Sequence, residues 1–212
     1  MHGVGDVGFF DRLAPLYDIV MPAADDDALH AGLARAKGPV DRLVDLGGGS
    51  GRATITVDAD ERTVVDVSLG MLRRARTRQS AETGRRIRRG AAGGDARRVG
   101  PLDAIQGDAG QLPLGDDAVD AAIVVDAFHH MPDGPAVLAE ARRVIRPGGV
   151  CVIREFDPGH PLGWLLARGE HAIGMDSTFH TPTSLAEMLA TAGFEVSVLD
   201  GGFEYTVVGA NH

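Results

Sequence analysis

The 212-residue sequence is poor in several residue types: it has one cysteine, one tryptophan, two tyrosines and a single lysine, Lys37. The cysteine, Cys151, sits in the apolar run GGVCVI and has no partner in the chain. A disulfide framework and a cysteine-ligated zinc site are therefore excluded, and a reducing, cytoplasmic setting is expected. No apolar run approaches the roughly 20 residues that cross a bilayer, so no membrane span is expected. The opening MHGVGDVGFFDRL lacks the basic start and apolar stretch of a secretory signal. With lysine nearly gone, the other basic residues are all arginine, and 22 of the 30 acids are aspartate. An acidic, lysine-poor body of net charge −9 suits a high-salt cytoplasm, and a GC-rich genome produces the same bias through its codons. The sequence leaves these two origins open.

What is present is ordinary for a globular chain: 44% hydrophobic and 24% charged residues, enough for one α/β domain. The charge is unevenly placed. Ten arginines fall between Arg73 and Arg98, where Glu82 and Asp95 are the only acids, so this stretch carries +8 against −17 for the rest. It contains no aromatic residue to stack on bases, which argues against nucleic acid as a partner. Residues 79–100 are expected to form an arginine-rich insertion, a helix end running into a mobile loop; an internal partner for the acidic body stays open.

Short β-rich runs alternate with helical patterns, the mark of a parallel sheet covered on both faces. Strands are expected at 42–46, 63–67, 103–106, 119–125 and 150–156, and helices near the mid-50s and at 69–78, 135–146, 162–174 and from Thr181-Pro182 to Gly193. The run 119–125 (VDAAIVV) is the longest and is expected at the centre, because strands buried on both faces read as continuous apolar runs. Two closing runs, 194–199 and 203–208, flank Asp200-Gly201-Gly202, a hairpin signal. The fold class is therefore α/β, a doubly wound, seven-stranded, mostly parallel sheet with a reversed last strand. Residues 1–38 form an N-terminal helical or lid segment and 157–181 a substrate-cover segment of the same single domain.

The strongest local signal is VDLGGGSG at 44–51. Glycines directly after a strand let the chain turn sharply and let a ligand reach main-chain N–H groups. The spacing Gly47-x-Gly49-x-Gly51 is neither GxGxxG nor a P-loop, and Asp45 beside it repels phosphate and favours a cation. Asp66 closes the second strand about twenty residues on, where an acid accepts from ribose hydroxyls. Asp108, followed by Ala109, closes the third strand and can accept from an adenine amino group; Asp126 closes the fourth. A ligand with a ribose, an exocyclic amine, an ammonium group and no phosphate fits these four acids, and S-adenosylmethionine is such a ligand.

VDLGGGSG, VVDVSLGML, GDAGQLPL, AVDAAIVVDAFHH and EARRVIRPGG together resemble the class I S-adenosylmethionine-dependent methyltransferases over nearly the whole chain. FFDRLAPLYD and IREFDP look like the ubiquinone/menaquinone C-methyltransferase branch, from which Ala127-Phe128-His129-His130-Met131 and the arginine-rich insertion depart. The resemblance implies S-adenosylmethionine as cofactor, with Asp45, Gly47, Gly49 and Gly51 at its methionine part and Asp66, Val67 and Ser68 at the ribose. It also implies Asp108 and Ala109 at the adenine, Asp126 near the sulfonium and Tyr17 closing over the cofactor or anchoring a lid helix.

A sulfonium methyl is already electrophilic, so the protein's task is to place a nucleophile in line and, where needed, to take a proton. His130 and His129, just past the fourth strand, are candidate bases, and either can instead pack the loop. Glu155, at the end of the fifth strand, is the candidate for substrate contact. Trp164, Leu165 and Leu166 form an apolar acceptor wall or core. His160, His171 and His180 match no metal-ligand spacing, so no metal is expected. The expected function is methyl transfer to a small apolar or aromatic acceptor, a quinol precursor first. O- or N-methylation and a non-catalytic S-adenosylmethionine binder are the alternatives, and the oligomeric state is left open. The missing GxGxxG disfavours an oxidoreductase.

Overall fold

The computed structural model describes residues 26–90 and 100–212. Tyr17, the first 25 residues of the 1–38 segment and residues 91–99 of the arginine-rich insertion lie outside the described residues. Seven strands build one sheet: β1 (Arg42–Leu46), β2 (Glu61–Asp66), β3 (Leu102–Gln106), β4 (Val119–Val125), β5 (Ile145–Phe156), β6 (Glu195–Val198) and β7 (Glu204–Ala210). Their order is β3-β2-β1-β4-β5-β7-β6, with β1 to β5 parallel and β7 antiparallel to both β5 and β6. The reversed strand is thus tucked inside the edge rather than left at it.

The central β4 shows why the sequence folds this way. Alternate side chains leave a strand on opposite faces, so Ala122 and Val124 join the cluster around Leu138, Leu185 and Tyr205. Ala121 and Ile123 join the other, around Leu29, Leu43 and Val152. Among the described residues five helices supply the covers: α1 (Asp26–Leu33), α2 (Leu69–Gly90), α3 (Gly134–Val144), α4 (Pro161–Ala172) and α5 (Pro182–Thr191). Leu29 and Leu33 of α1 lie on one face, and Leu138 of α3 and Leu185 of α5 on the other. Among the described residues no helix is long and apolar enough to cross a membrane.

Two elements run past their expected limits. Helix α2 continues to Gly90 instead of stopping at Arg78. Residues 79–90 carry no apolar stripe, but arginine, glutamine, alanine and glutamate are strong helix formers and extend an established helix unaided. Strand β5 starts at Ile145, because Pro147-Gly148-Gly149 forms an irregularity within the strand instead of preceding it. Proline and a left-handed glycine (Gly148, φ 84°) belong at such bulges.

Helix α5 begins as its sequence dictates: Pro182 occupies the first turn, and the Thr181 hydroxyl accepts from the Ser184 amide at 3.2 Å. Thr181→Ala is expected to lower unfolding free energy by about 1 kcal/mol, the usual value of such a cap, measured as a smaller urea midpoint at unchanged slope.

Candidate active site

The loops after β1, β2, β3 and β4 meet at the carboxyl edge of the sheet, where they enclose a cavity of about 730 Å³. The glycine loop forms one side. Gly47, Gly49 and Gly51 all have positive φ (67°, 54° and 70°), so the alternation of glycines answers a backbone requirement. Gly48 is constrained differently: a Cβ there would lie 2.4 Å from the Asp45 carboxyl carbon, which is folded beneath the loop.

Asp45 is almost fully buried. Its Oδ2 accepts from the Thr54 hydroxyl at 2.5 Å, while Oδ1 is buried without a partner among the described residues. Burial, opposed by the Thr54 hydrogen bond and reinforced by the charge of Asp66, pushes its pKa up to about 7. Asp66 braces the loop: its two oxygens accept from the amides of Gly49 (2.9 Å) and Ser68 (2.8 Å). The Ser68 hydroxyl accepts from Met71 at 3.2 Å, capping α2, and Val67 beside it is half-exposed. Asp108 accepts from the Gly110 amide at 2.8 Å and is followed by the buried Ala109.

Asp126 adopts φ 52°, in the left-handed region that costs a residue with a Cβ about 1–2 kcal/mol. Arg52 donates to its Oδ2 at 3.0 Å, and its Oδ1 is buried without a partner among the described residues. Burial, with the charge of Glu155 adding, raises its pKa to about 6. Among the described residues six aspartates (45, 66, 108, 126, 133 and 176) line the cavity together with one arginine, Arg52. Such a wall favours a cationic ligand and repels phosphate.

Of the three catalytic candidates, only His130 lines the cavity. Burial, and secondarily the charge of His129, hold its pKa down to about 3, so it presents a neutral imidazole. His129 and Glu155 are buried behind the wall. Glu155 Oε1 accepts from the amides of Ala127 (3.1 Å), Phe128 (2.6 Å) and His129 (3.3 Å), and Oε2 is 2.6 Å from His129 Nδ1. Burial disfavours charge on His129, but the charge and hydrogen bond of Glu155, together with the charges of Glu170 and Asp126, outweigh it, so the net shift is upward. The His129 ring also stacks on Phe179, 4.3 Å between centroids.

The family described as methyltransferase domain matches residues 44–153, over half of the chain. This protein belongs to the methyltransferase-domain family. The chain is 31% identical over 177 residues to the ubiquinone/menaquinone biosynthesis C-methyltransferase of Paracoccus denitrificans, covering 76% of this chain and 63% of that one. It is 32% identical over 161 residues to the demethylmenaquinone methyltransferase of Clavibacter sepedonicus, covering 72% and 59%. The chain thus spans about three-fifths of the length of these two relatives. Among solved structures, a SAM-dependent methyltransferase from Thermotoga maritima superposes with a TM-score of 0.70 at 21% identity, covering 96% and 98%. One from Aquifex aeolicus gives 0.66 at 15%, covering 92% and 96%. These two share the fold.

Membership of the methyltransferase-domain family implies S-adenosylmethionine as cofactor, and the chain's own atoms fit it. The partnerless oxygens of Asp45 and Asp126 belong to residues of the cavity wall and suit positively charged groups, and the glycine backbone offers close approach. Four expectations change. Gly51 is off the wall: a Cβ there would press on Leu102 and Ala75, so it serves loop-to-helix packing. Glu155 is saturated by four donors and does not reach the cavity, and His129 is its partner instead of a base at the wall. Trp164 and Leu165 are exposed, forming neither wall nor core, with Arg168 over the indole ring. Arg52, Met131 and Asp176 line the cavity with no motif to announce them.

Proposed function

We propose that this protein transfers a methyl group from S-adenosylmethionine to a small apolar or aromatic acceptor, a quinol ring carbon first among them. The observation that carries the reading is the pair of buried, partnerless carboxylate oxygens, on Asp45 and Asp126, in an acidic cavity at the carboxyl ends of β1 and β4. The names of the relatives from Paracoccus denitrificans and Clavibacter sepedonicus support the quinol class.

When bound, S-adenosylmethionine supplies an electrophilic methyl carbon on a sulfonium. Asp45 would hold the ammonium group, Asp66 the ribose hydroxyls and Asp108, beside Ala109, the adenine amine. Asp126 lies nearest His130 in the chain and would face the sulfonium end. Met131, Pro132, Ala136 and Val137 give the cavity an apolar side. His130 would accept a hydrogen bond from an acceptor hydroxyl and fix its angle of approach, the positioning that dominates when the donor is already reactive.

The Asp45 assignment predicts a pH effect. The free carboxyl titrates at about 7, raised by burial, and an ammonium partner favours its ionised form. Protonated Asp45 cannot pair with the ammonium, so affinity falls as pH drops below 7. S-Adenosylhomocysteine is expected to bind roughly tenfold more weakly at pH 6 than at pH 7.5, with proton release near the midpoint, and Asp45→Asn is expected to flatten the dependence. Calorimetry in buffers of different ionisation enthalpy reads both. No heat with S-adenosylhomocysteine, against clear heat with NAD, would overturn the cofactor site. Release of S-adenosylhomocysteine from S-adenosylmethionine and a soluble naphthoquinol tests the acceptor.

A further inference from the structure

The three histidines considered as metal ligands from the sequence do not meet. His160 Nδ1 accepts from the Leu162 amide, His171 Nδ1 bonds the Ala167 carbonyl in its own helix, and the His180 ring packs on Phe128. A different set does meet. We propose that His129, His130 and Glu170 form a binding site for a zinc-type divalent ion at the wall of the cavity.

One ligand atom from each of these three residues lies within 4.8 Å of the other two. The arrangement around them is that of a prepared site. Glu155 holds His129 Nδ1 at 2.6 Å, which directs the other ring nitrogen, Nε2, toward Glu170. A carboxylate fixing the far nitrogen of a histidine is the usual outer support of a metal-bound imidazole. Ser177 draws the remaining two residues together: its hydroxyl donates to Glu170 Oε2 at 2.5 Å and lies 3.1 Å from His130 Nδ1. Glu170 Oε1 is thereby turned to His129.

The gap between His129 Nε2 and Glu170 Oε1 is 3.8 Å. That is too long for a hydrogen bond. It is the separation of two ligand atoms each about 2.1 Å from one ion at an angle of roughly 130°. Two nitrogens and one carboxylate oxygen suit zinc, whereas magnesium and calcium take all-oxygen sets. Three protein ligands leave a fourth position for water or an acceptor oxygen, and His130, which lines the cavity, puts the ion at its wall. The competing occupant is a proton, which would make His129 an imidazolium between Glu155 and Glu170. The site stands on these contacts; a His130 imidazole that ligates the ion has no second lone pair, so in the loaded protein an acceptor hydroxyl would be met by the ion's fourth position instead of by His130 itself.

Tag-free protein, stripped with chelator, is titrated with cobalt(II) alone and then with zinc. The expected result is one equivalent of cobalt with the visible d–d absorption of a low-coordinate nitrogen/oxygen site, displaced stoichiometrically by zinc. Glu170→Gln is expected to weaken zinc binding at least about tenfold, with circular dichroism reporting that the variant is folded. Should that variant fail to fold, His130→Gln is expected to show the same loss. Absence of any cobalt spectrum and of zinc heat at micromolar concentration means that the occupant is a proton, and overturns the proposal. Equal zinc affinity in wild type and in the folded variant places the ion elsewhere and overturns it as well.

Discussion

Glu155→Ala is expected to lower the unfolding free energy by about 3–5 kcal/mol, the cost of removing one partner from a buried charged pair. The carboxylate is 2% exposed and serves four donors: three consecutive amides at the start of the turn Phe128–His130 and the ring of His129. Deleting it strands all four in a place that water does not readily reach. Glu155→Gln keeps an oxygen for the amides but gives up the charge and presents a donor, so it should fall between wild type and alanine. Urea unfolding followed by circular dichroism measures both, provided the slopes agree. An alanine variant within 1 kcal/mol of wild type would show that the turn is held by something else and would reopen substrate contact as the role of Glu155.

How much of this was legible beforehand follows from what each element depends on. The limits 42–46 and 119–125 match β1 and β4 residue for residue, because apolar runs bounded by turn residues carry their own information. The glycine loop was legible for the same reason: alternate positive φ values require alternate glycines. Asp45, Asp66, Asp108 and Asp126 come together because each lies in the last two residues of a parallel strand or just past its end, and parallel strands deliver their ends to one edge.

Side-chain destinations behind that edge were not legible. Pairing of Val125 with Arg154 sets Glu155 beside the amides of Ala127, Phe128 and His129, and those amides need an acceptor. The need arises only once β4 and β5 are in register. Glu170 is a stronger case: it reaches His129 and Ser177 from α4, with no periodicity or spacing that links the three. Nor does anything in the letters 124–128 show that Asp126 turns left-handed, although aspartate tolerates that conformation better than most residues.

His130→Asn is expected to reduce turnover on the order of a hundredfold while leaving S-adenosylhomocysteine affinity nearly unchanged. The prediction follows from placement. Of His129, His130 and Glu155, only His130 lines the cavity, and it does so three residues beyond Ala127 and next to Met131, both also on the wall. Asp45, Asp66 and Asp108, assigned to the ammonium, ribose and adenine, come from other loops, and of the cofactor residues only Asp126 shares the loop of His130, so a change at His130 should act on the acceptor's approach and largely spare cofactor binding. Asparagine keeps a polar atom but shortens the reach and replaces a rigid ring with an amide that can face either way. The loss should therefore appear in kcat with the naphthoquinol, and in kcat/KM to the same degree, as for an interaction made only in the transition state. Wild-type turnover in the asparagine variant would remove His130 from the reaction. Loss of S-adenosylhomocysteine binding together with turnover would assign it to shaping the cofactor pocket, through the turn that Glu155 holds from behind.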